Sequence, residues 1–463
     1  MHESRKGHYV LAISLISALG GFLFGYDWVV IGGAKPFYEQ YFRIAEIPHL
    51  QGWAVSCALI GCILGTLVSG ALSDKYGRKR FLILSAILFL ISAIGTGGAN
   101  TFSPFVLYRI LGGIGIGLAS NLSPMYIAEI SPANVRGKFV SINQLTIVIG
   151  ILMAQVANWM IADEVVSGST PQDLLNSWNG QTGWRWMFWA EIIPAAMFFG
   201  MMWLVPESPR WLAKKHKHNK VKDVLTKVGG ERYAATAIVE IEDSLKSEDD
   251  KVNLSILFQP QIIGVVVVGI VLAAFQQWCG INVIFMYAEE IFAAAGYNVS
   301  DMLFNVIIIG SVNLIFTLLA MFTVDKIGRK KLMLIGSAGL AIIYSILGSF
   351  YYLGFQGWPL LVLVVMAIAC YASTLAPITW VVLSEIFPNR IRGVAMAVAT
   401  FSLWVASTLL TYLFPIVNNI INASGSFWLF ALLCLGGYFF IKAKLVETKG
   451  KSLEQIEVEL TSK

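Results

Sequence analysis

Apolar runs of 18 residues or more recur twelve times along this chain, near 9–32, 51–73, 80–100, 102–128, 138–162, 184–206, 259–293, 302–324, 331–353, 358–386, 393–417 and 425–446. No other feature restricts the fold so strongly. A run of that length crosses about 30 Å of hydrocarbon as a helix, and hydrocarbon offers the backbone polar groups no partners outside the chain. The composition agrees: 57% of the 463 residues are hydrophobic and 13% charged, whereas a soluble domain is roughly 45–50% apolar. The first run lacks the short apolar core and small-residue cleavage site of a signal peptide, so it is expected to be a retained span. The expectation is an all-α membrane protein of twelve transmembrane helices.

Short loops set its orientation, because Lys and Arg resist translocation. The loops after runs two and eight carry Lys75, Arg78, Lys79 and Arg80, and Lys326, Arg329, Lys330 and Lys331. Arg136 and Lys138 follow run four, Arg390 and Arg392 follow run ten, and the loops after runs three, nine and eleven carry neither residue type. Both termini are therefore expected in the cytoplasm, with the chain multi-pass in its membrane. The net charge of +5 reflects this loop bias and gives no sign of a nucleic-acid partner. The five cysteines lie in apolar runs without CxxC spacing and read as small buried hydrophobes.

Two loop motifs recur. Asp74-Lys-Tyr-Gly-Arg-Lys returns as Asp325-Lys-Ile-Gly-Arg-Lys, and Glu129-Ile-Ser-Pro-Ala-Asn-Val-Arg-Gly returns as Glu385-Ile-Phe-Pro-Asn-Arg-Ile-Arg-Gly. Matched loops on one side imply two pseudo-symmetric six-helix bundles, 1–206 and 256–446, related by an axis along the membrane normal, a geometry that suits alternating access. The polar stretch 207–255 divides them as a cytoplasmic linker with short helices around 212–228 and 233–246, and 447–463 forms a cytoplasmic tail. Asp74, Arg78, Glu129 and Arg136 in one half, and Asp325, Arg329, Glu385 and Arg392 in the other, are candidates for charge networks gating the cytoplasmic side, with Glu129 expected to meet Arg136 and Glu385 to meet Arg392. Exposed pairs contribute only about 0–1 kcal/mol each, so a gate built from them needs a network or partial burial.

Three ionisable residues fall inside the membrane in the first half. Asp27 lies roughly 6 Å below the outer end of span one at 1.5 Å per residue, and Arg109 and Glu191 lie about seven residues, roughly 10 Å, in from the outer ends of spans four and six. An unpaired charge at the centre of a span costs at least about 2.5–3.5 kcal/mol, so these side chains should face an interior and one another. Desolvation favours a neutral acid and a neighbouring cation favours a charged one, so an acid beside a movable Arg109 can take and release a proton. Asp27 is the expected proton-coupling site, with Arg109 its partner and Glu191 a modulator.

The second half is almost free of deep charge, yet Gln276, Gln277, Asn282, Asn313, Trp380 and Trp404 punctuate its apolar runs. Amides both donate and accept, and indole faces pack on C–H surfaces, the combination a neutral polyhydroxy ligand requires. Pro377 and Gly280 are positioned to loosen their helices, and irregular backbone at membrane depth lines cavities. No nucleophile with its base, no metal-ligand cluster and no phosphate loop appears, so neither an enzyme nor a metal or cofactor is expected.

Taken in order along nearly the whole chain, Gly70-x-x-x-Asp74-x-x-Gly77-Arg78-Lys79, Pro206-Glu207-Ser208-Pro209-Arg210-Trp211, Gln276-Gln277-x-x-Gly280-x-Asn282 and the Glu385 to Gly393 loop resemble the sugar porter family of the major facilitator superfamily. The resemblance implies that Asp27 and Arg109 are the proton-coupling pair and Glu191 an acid seen in proton symporters. It also implies that Gln144, Gln276, Gln277, Asn282 and Trp380 contact sugar hydroxyls, that Asn313 and Trp404 line the pocket, and that Phe24 lines it from span one. Facilitative glucose uniporters of the family carry Asn where this chain has Asp27, so symport is the expected mode. Trp28, Met286 and Leu403 depart from the family's usual small or polar residues, which weighs against xylose itself and leaves another pentose, a hexose or a cyclic polyol. The expected protein is a monomer in lipid that imports a neutral sugar with a proton. The rivals are a uniporter in which Asp27 is structural, and a non-transporting sugar sensor.

Overall fold

The computed structural model describes residues 2–132, 135–166, 168–246, 257, 259–388 and 391–449, and every regular element among them is helical. The first five runs form α1 (His2–Tyr41), α2 (Pro48–Tyr76), α3 (Arg78–Gly98), α4 (Phe102–Ile130) and α5 (Arg136–Ile161). After α6 (Pro171–Asn176) and a π-helical turn (Asn179–Gly183), the sixth run is divided into α7 (Trp184–Trp189) and α8 (Ile192–Met202). Pro194 has no N–H for the carbonyl of Ala190, so the ladder is interrupted there. The linker forms α9 (Pro209–Lys214), α10 (His218–Gly229) and α11 (Glu231–Lys246).

In the second half the seventh run becomes α12 (Pro260–Trp278), α13 (Ile281–Met286) and α14 (Ala288–Ala294), followed by α15 (Val299–Ile327) and α16 (Arg329–Tyr352). The tenth run forms α17 (Trp358–Ser373) and α18 (Leu375–Ile386), and α19 (Arg392–Lys444) contains the last two runs. Three breaks have local causes. Gly280 adopts the left-handed conformation at φ 87° between α12 and α13, where a side chain would be strained. Thr374 leaves helical torsions between α17 and α18, three residues before Pro377, which cannot donate to the Ser373 carbonyl. Asn422, at φ 58° and ψ 178°, divides α19 into its two spans. Ten helices among the described residues are long and apolar enough to cross a membrane; the broken sixth run and the kink inside α19 account for the twelve runs of the sequence.

The chain forms two compact units: Met1–Trp28, Ile60–Ala154 and Arg185–Lys251 in the first, and Val29–Leu59, Gln155–Trp184 and Val252–Lys463 in the second. In the first, α3 packs along α4 and α8. Small residues bring α2 and α4 together: a Cβ at Gly65 would strike the Ile114 carbonyl, and one at Gly117 the Cys62 carbonyl. That is how membrane helices gain dispersion contacts in a solvent as apolar as they are. The linker helices bury Trp211, Leu212, Val221, Val224, Leu225 and Val228 within this unit. In the second unit α19 packs on α12 and α16, and α15 on α17.

Candidate functional site

Asp27 lies on α1 in the first unit with its side chain buried, as are Arg109 on α4 and Glu191 at the start of α8. The Arg109 guanidinium donates through Nη1 to Asp27 Oδ1, and through Nη2 to the Asp27 backbone carbonyl at 3.4 Å. Its carbon stands 5.7 Å from the centre of the Phe188 ring, so one face of the cation rests on an aromatic. Gly112 makes this approach possible, since a Cβ there would sit 3.0 Å from Asp27 Oδ2. Asp27 Oδ2 and Glu191 Oε1 are buried with no hydrogen-bond partner among the described residues. Glu191 interacts electrostatically with both Asp27 and Arg109. Two buried carboxyls thus lie within electrostatic reach of one guanidinium, which is hydrogen-bonded to Asp27.

In the second unit the polar residues of the seventh run form a connected chain. Asn282 Nδ2 donates to Gln277 Oε1, Gln277 Nε2 to Gln276 Oε1 at 2.6 Å, and Gln276 Nε2 to the Tyr371 hydroxyl at 2.9 Å. The Gly280 break places Asn282 back alongside Gln277, which an unbroken helix at a spacing of five would not do. Asn313 on α15 and Trp404 on α19 are buried, whereas Trp380 on α18 is 36% exposed. Met286 is buried and accepts the Thr411 hydroxyl at 3.8 Å; Leu403 is buried beside Trp404. In the first unit Gln144 is exposed on α5, and Phe24 meets Trp28 edge-on at 5.8 Å. Two residues were missed from the sequence. Tyr371 reads as one more aromatic in an apolar run, and its role as the end of the amide chain follows only from the fold. Gln155 is buried with neither amide atom hydrogen-bonded among the described residues; an amide in an apolar run was the signal for it.

The recurring loops fold alike. Gly77 (φ 109°, ψ 153°) and Gly328 (φ 106°, ψ 146°) take the same glycine-only torsions before α3 and α16. In the first unit Glu207 accepts the N–H groups of Arg78, Lys79 and Ser208 at 3.0, 3.1 and 2.9 Å. Burial pushes its carboxyl above the usual range, and those N–H groups pull it back. In the second unit Glu447 plays the same part, accepting from Arg329 at 2.8 Å and Lys331 at 3.4 Å. Buried Arg78 pairs with Asp74 at 2.7 Å and Glu129 at 3.1 Å, and Ser208 Oγ also donates to Glu129. Arg329 pairs with Glu385 at 3.0 Å, and Thr448 Oγ1 donates to Glu385 at 2.5 Å. The expected pairings are therefore corrected: Glu129 takes Arg78 while Arg136 is exposed, and Glu385 takes Arg329 while Arg392 donates to the Phe387 carbonyl at 3.3 Å. In both cases the arginine of the preceding loop, not the acid's own, makes the pair. The Asp325 side chain lies outside the described residues.

Membrane-length helices with a buried ion pair in one unit and an amide chain in the other are the kind of intramembrane polar groups that secondary transporters use. Residues 13–460 match the family model for sugar (and other) transporters, and the chain belongs to that family. It is 38% identical to the D-xylose–proton symporter of Escherichia coli, over 99% of this chain and 97% of that one. It is 39% identical to the arabinose–proton symporter of Bacillus subtilis, over 98% and 96%. The solved inward-open structure of the xylose transporter XylE from Escherichia coli superposes with a TM-score of 0.85 at 37% identity, covering 97% of this chain and all of the other. The protein has the twelve-helix fold of the major facilitator superfamily and is a transporter rather than an enzyme.

Proposed function

We propose that the protein imports a neutral monosaccharide of the pentose class together with a proton, by alternating access between two six-helix halves, 1–206 and 256–446, joined by the 207–255 linker. The observation that carries this reading is the buried Asp27–Arg109 pair with Glu191 beside it. A proton on Asp27 cancels the charge that holds Arg109, and Glu191 then remains as the guanidinium's counter-charge. Proton arrival and departure thereby change which acid the cation prefers, without leaving it unpaired in the membrane. The names of the xylose and arabinose symporters support both the proton and the sugar class.

For the sugar, Gln276, Gln277, Asn282 and Tyr371 supply amide and hydroxyl groups whose remaining donors and acceptors suit a ring of hydroxyls. We assign Asn313, Trp380 and Trp404 of the second half, and Gln144 and Phe24 of the first, as further contacts. Met286 and Leu403 remove polar partners from this set, so a sugar whose hydroxyls do not need them is favoured over xylose. The charged loops act as cytoplasmic-side clamps, with both termini on that side of a bacterial inner membrane and the transporter working as a monomer. The test is uptake into proteoliposomes across a panel of pentoses, hexoses and polyols, with and without an imposed pH gradient. Asp27→Asn is expected to abolish accumulation while sparing sugar exchange. Uptake indifferent to the gradient in the parent protein would make it a uniporter and Asp27 a structural acid.

A further inference from the structure

The second unit contains a charge cluster that none of the above uses. Lys35, near the end of α1, is buried, and its ammonium lies 3.0 Å from Glu39 on the next turn, 2.5 Å from Glu290 and 3.4 Å from Glu289 on α14. Glu39 is buried too and accepts from Gln51 of α2 at 3.0 Å. The Tyr287 ring stands 5.7 Å from the ammonium, and Tyr38 and Cys57 complete the titratable surroundings. Among the described residues none of these neighbours brings a second cation to the cluster. One positive charge therefore faces three acids, a surplus of two negative charges if all are ionised.

The packing around the cluster is close. A Cβ at Gly32 would strike the Phe285 carbonyl, and one at Gly52 the Tyr412 carbonyl, so α1 and α2 meet α13 and α19 backbone to backbone on either side of it. Glu289 and Glu290 keep 29% and 21% of their side-chain surface exposed, which gives water a route to the acids, while Lys35 and Glu39 have almost none. Glu290 Oε2 is buried with no hydrogen-bond partner among the described residues, an atom able to carry a proton. Three acids around one buried ammonium repel one another most when assembled and least when parted and hydrated.

We propose that Lys35, Glu39, Glu289 and Glu290 form a second proton-binding site, separate from Asp27, which takes a proton from water as α1 closes on α13 and α14 and returns it as they part. Acid on this side of the membrane then favours closure, and each closing event binds about one more proton than the open state. The inference rests on alternating access but not on the sugar or on the role of Asp27.

The experiment uses the full chain carrying Asp27→Asn, with the five cysteines replaced and spin labels at the exposed positions Glu46→Cys and Gln356→Cys, so that Asp27 is silent and the cluster's share is read from the difference between parent and cluster variants. The closed, short-distance population is expected to rise about tenfold in its equilibrium constant per unit fall in pH. Glu39→Gln/Glu290→Gln, which leaves one acid for one lysine, should flatten that slope while closure persists. Lys35→Met should weaken closure and retain a slope. A merely structural ion pair predicts weaker closure in the double variant at an unchanged slope, and that result, or a flat slope in the parent, overturns the proposal. Where the double variant does not fold, Glu289→Gln alone must lower the slope for the proposal to stand.

Discussion

Gly112→Ala perturbs the proposed proton site at Asp27 without altering any of its charged groups. The added methyl would lie 3.0 Å from Asp27 Oδ2 and would also crowd the Ser92 side chain on α3. Ser92 can turn its hydroxyl aside, but its Cβ, 2.9 Å from the added methyl, moves only with α3, and Asp27 is held by Arg109 on both its carboxylate and its backbone carbonyl. The strain is therefore shared between α3 and that pair, and the part that reaches the pair sets the effect. Overpacking of this kind costs about 1–3 kcal/mol, which, acting on the coupling geometry, corresponds to a fall of about 5- to 150-fold in proton-driven accumulation. Sugar exchange at equal pH on both sides should be nearly unaffected, because it does not require Asp27 to change its proton. The assay is paired uptake and exchange in proteoliposomes. Gly98→Ala serves as the control, since nothing lies within 4 Å of a Cβ there. Parental accumulation with an unaltered pH profile in Gly112→Ala would refute the reasoning, because the pair would then tolerate displacement.

Gln277→Ala removes the middle of the amide chain and strands Asn282 and Gln276; sugar affinity measured by calorimetry should fall about tenfold or more. Glu207→Ala leaves the N–H groups of Arg78, Lys79 and Ser208 without their acceptor. A loss of about 1.5–3 kcal/mol is expected, read as a lower melting temperature and faster trypsin cleavage after Arg78, and Glu447→Ala should mirror it at Arg329. The Thr170 hydroxyl and amide hold the exposed Asp173 carboxyl below the usual range. Its support for α6 is therefore complete above the carboxyl's unfolded pKa and is lost as pH falls through the lower folded value. Amide exchange at Leu174 in acid should show the loss, and Asp173→Asn should erase its pH dependence.

The twelve runs and the Asp27–Arg109 pair were legible because hydrocarbon permits so few arrangements: a long apolar run must be helical, and a charge inside it must find its opposite. The breaks were partly legible. Gly280 and Pro377 announced irregularity, but the bend near Pro377 falls at Thr374, where the missing N–H takes effect, and the division at Ala190 and Glu191 follows from Pro194. Partner choice in the loops was not legible. Glu129 and Arg136 are close in sequence, yet Arg78 reaches Glu129 from another helix end. Lys35 and Glu39 escaped notice because they lie beyond the apolar run that ends near 32, where a charge reads as solvated. Only the packing of α1 against α13 and α14 shows them buried.

Glu207 follows α8 and reaches back to the loop before α3, and Glu447 follows α19 and reaches back to the loop before α16, so each acid fastens a loop within its own compact unit. Severing the polypeptide between Lys246, where α11 ends, and Pro260, where α12 begins, would leave Glu207 with Arg78 in one fragment and Glu447 with Arg329 in the other, and co-expression of the pieces is the natural setting in which such a transporter would reassemble. A cut just before Glu447, by contrast, would unfasten the loop before α16 while leaving every membrane-length helix whole.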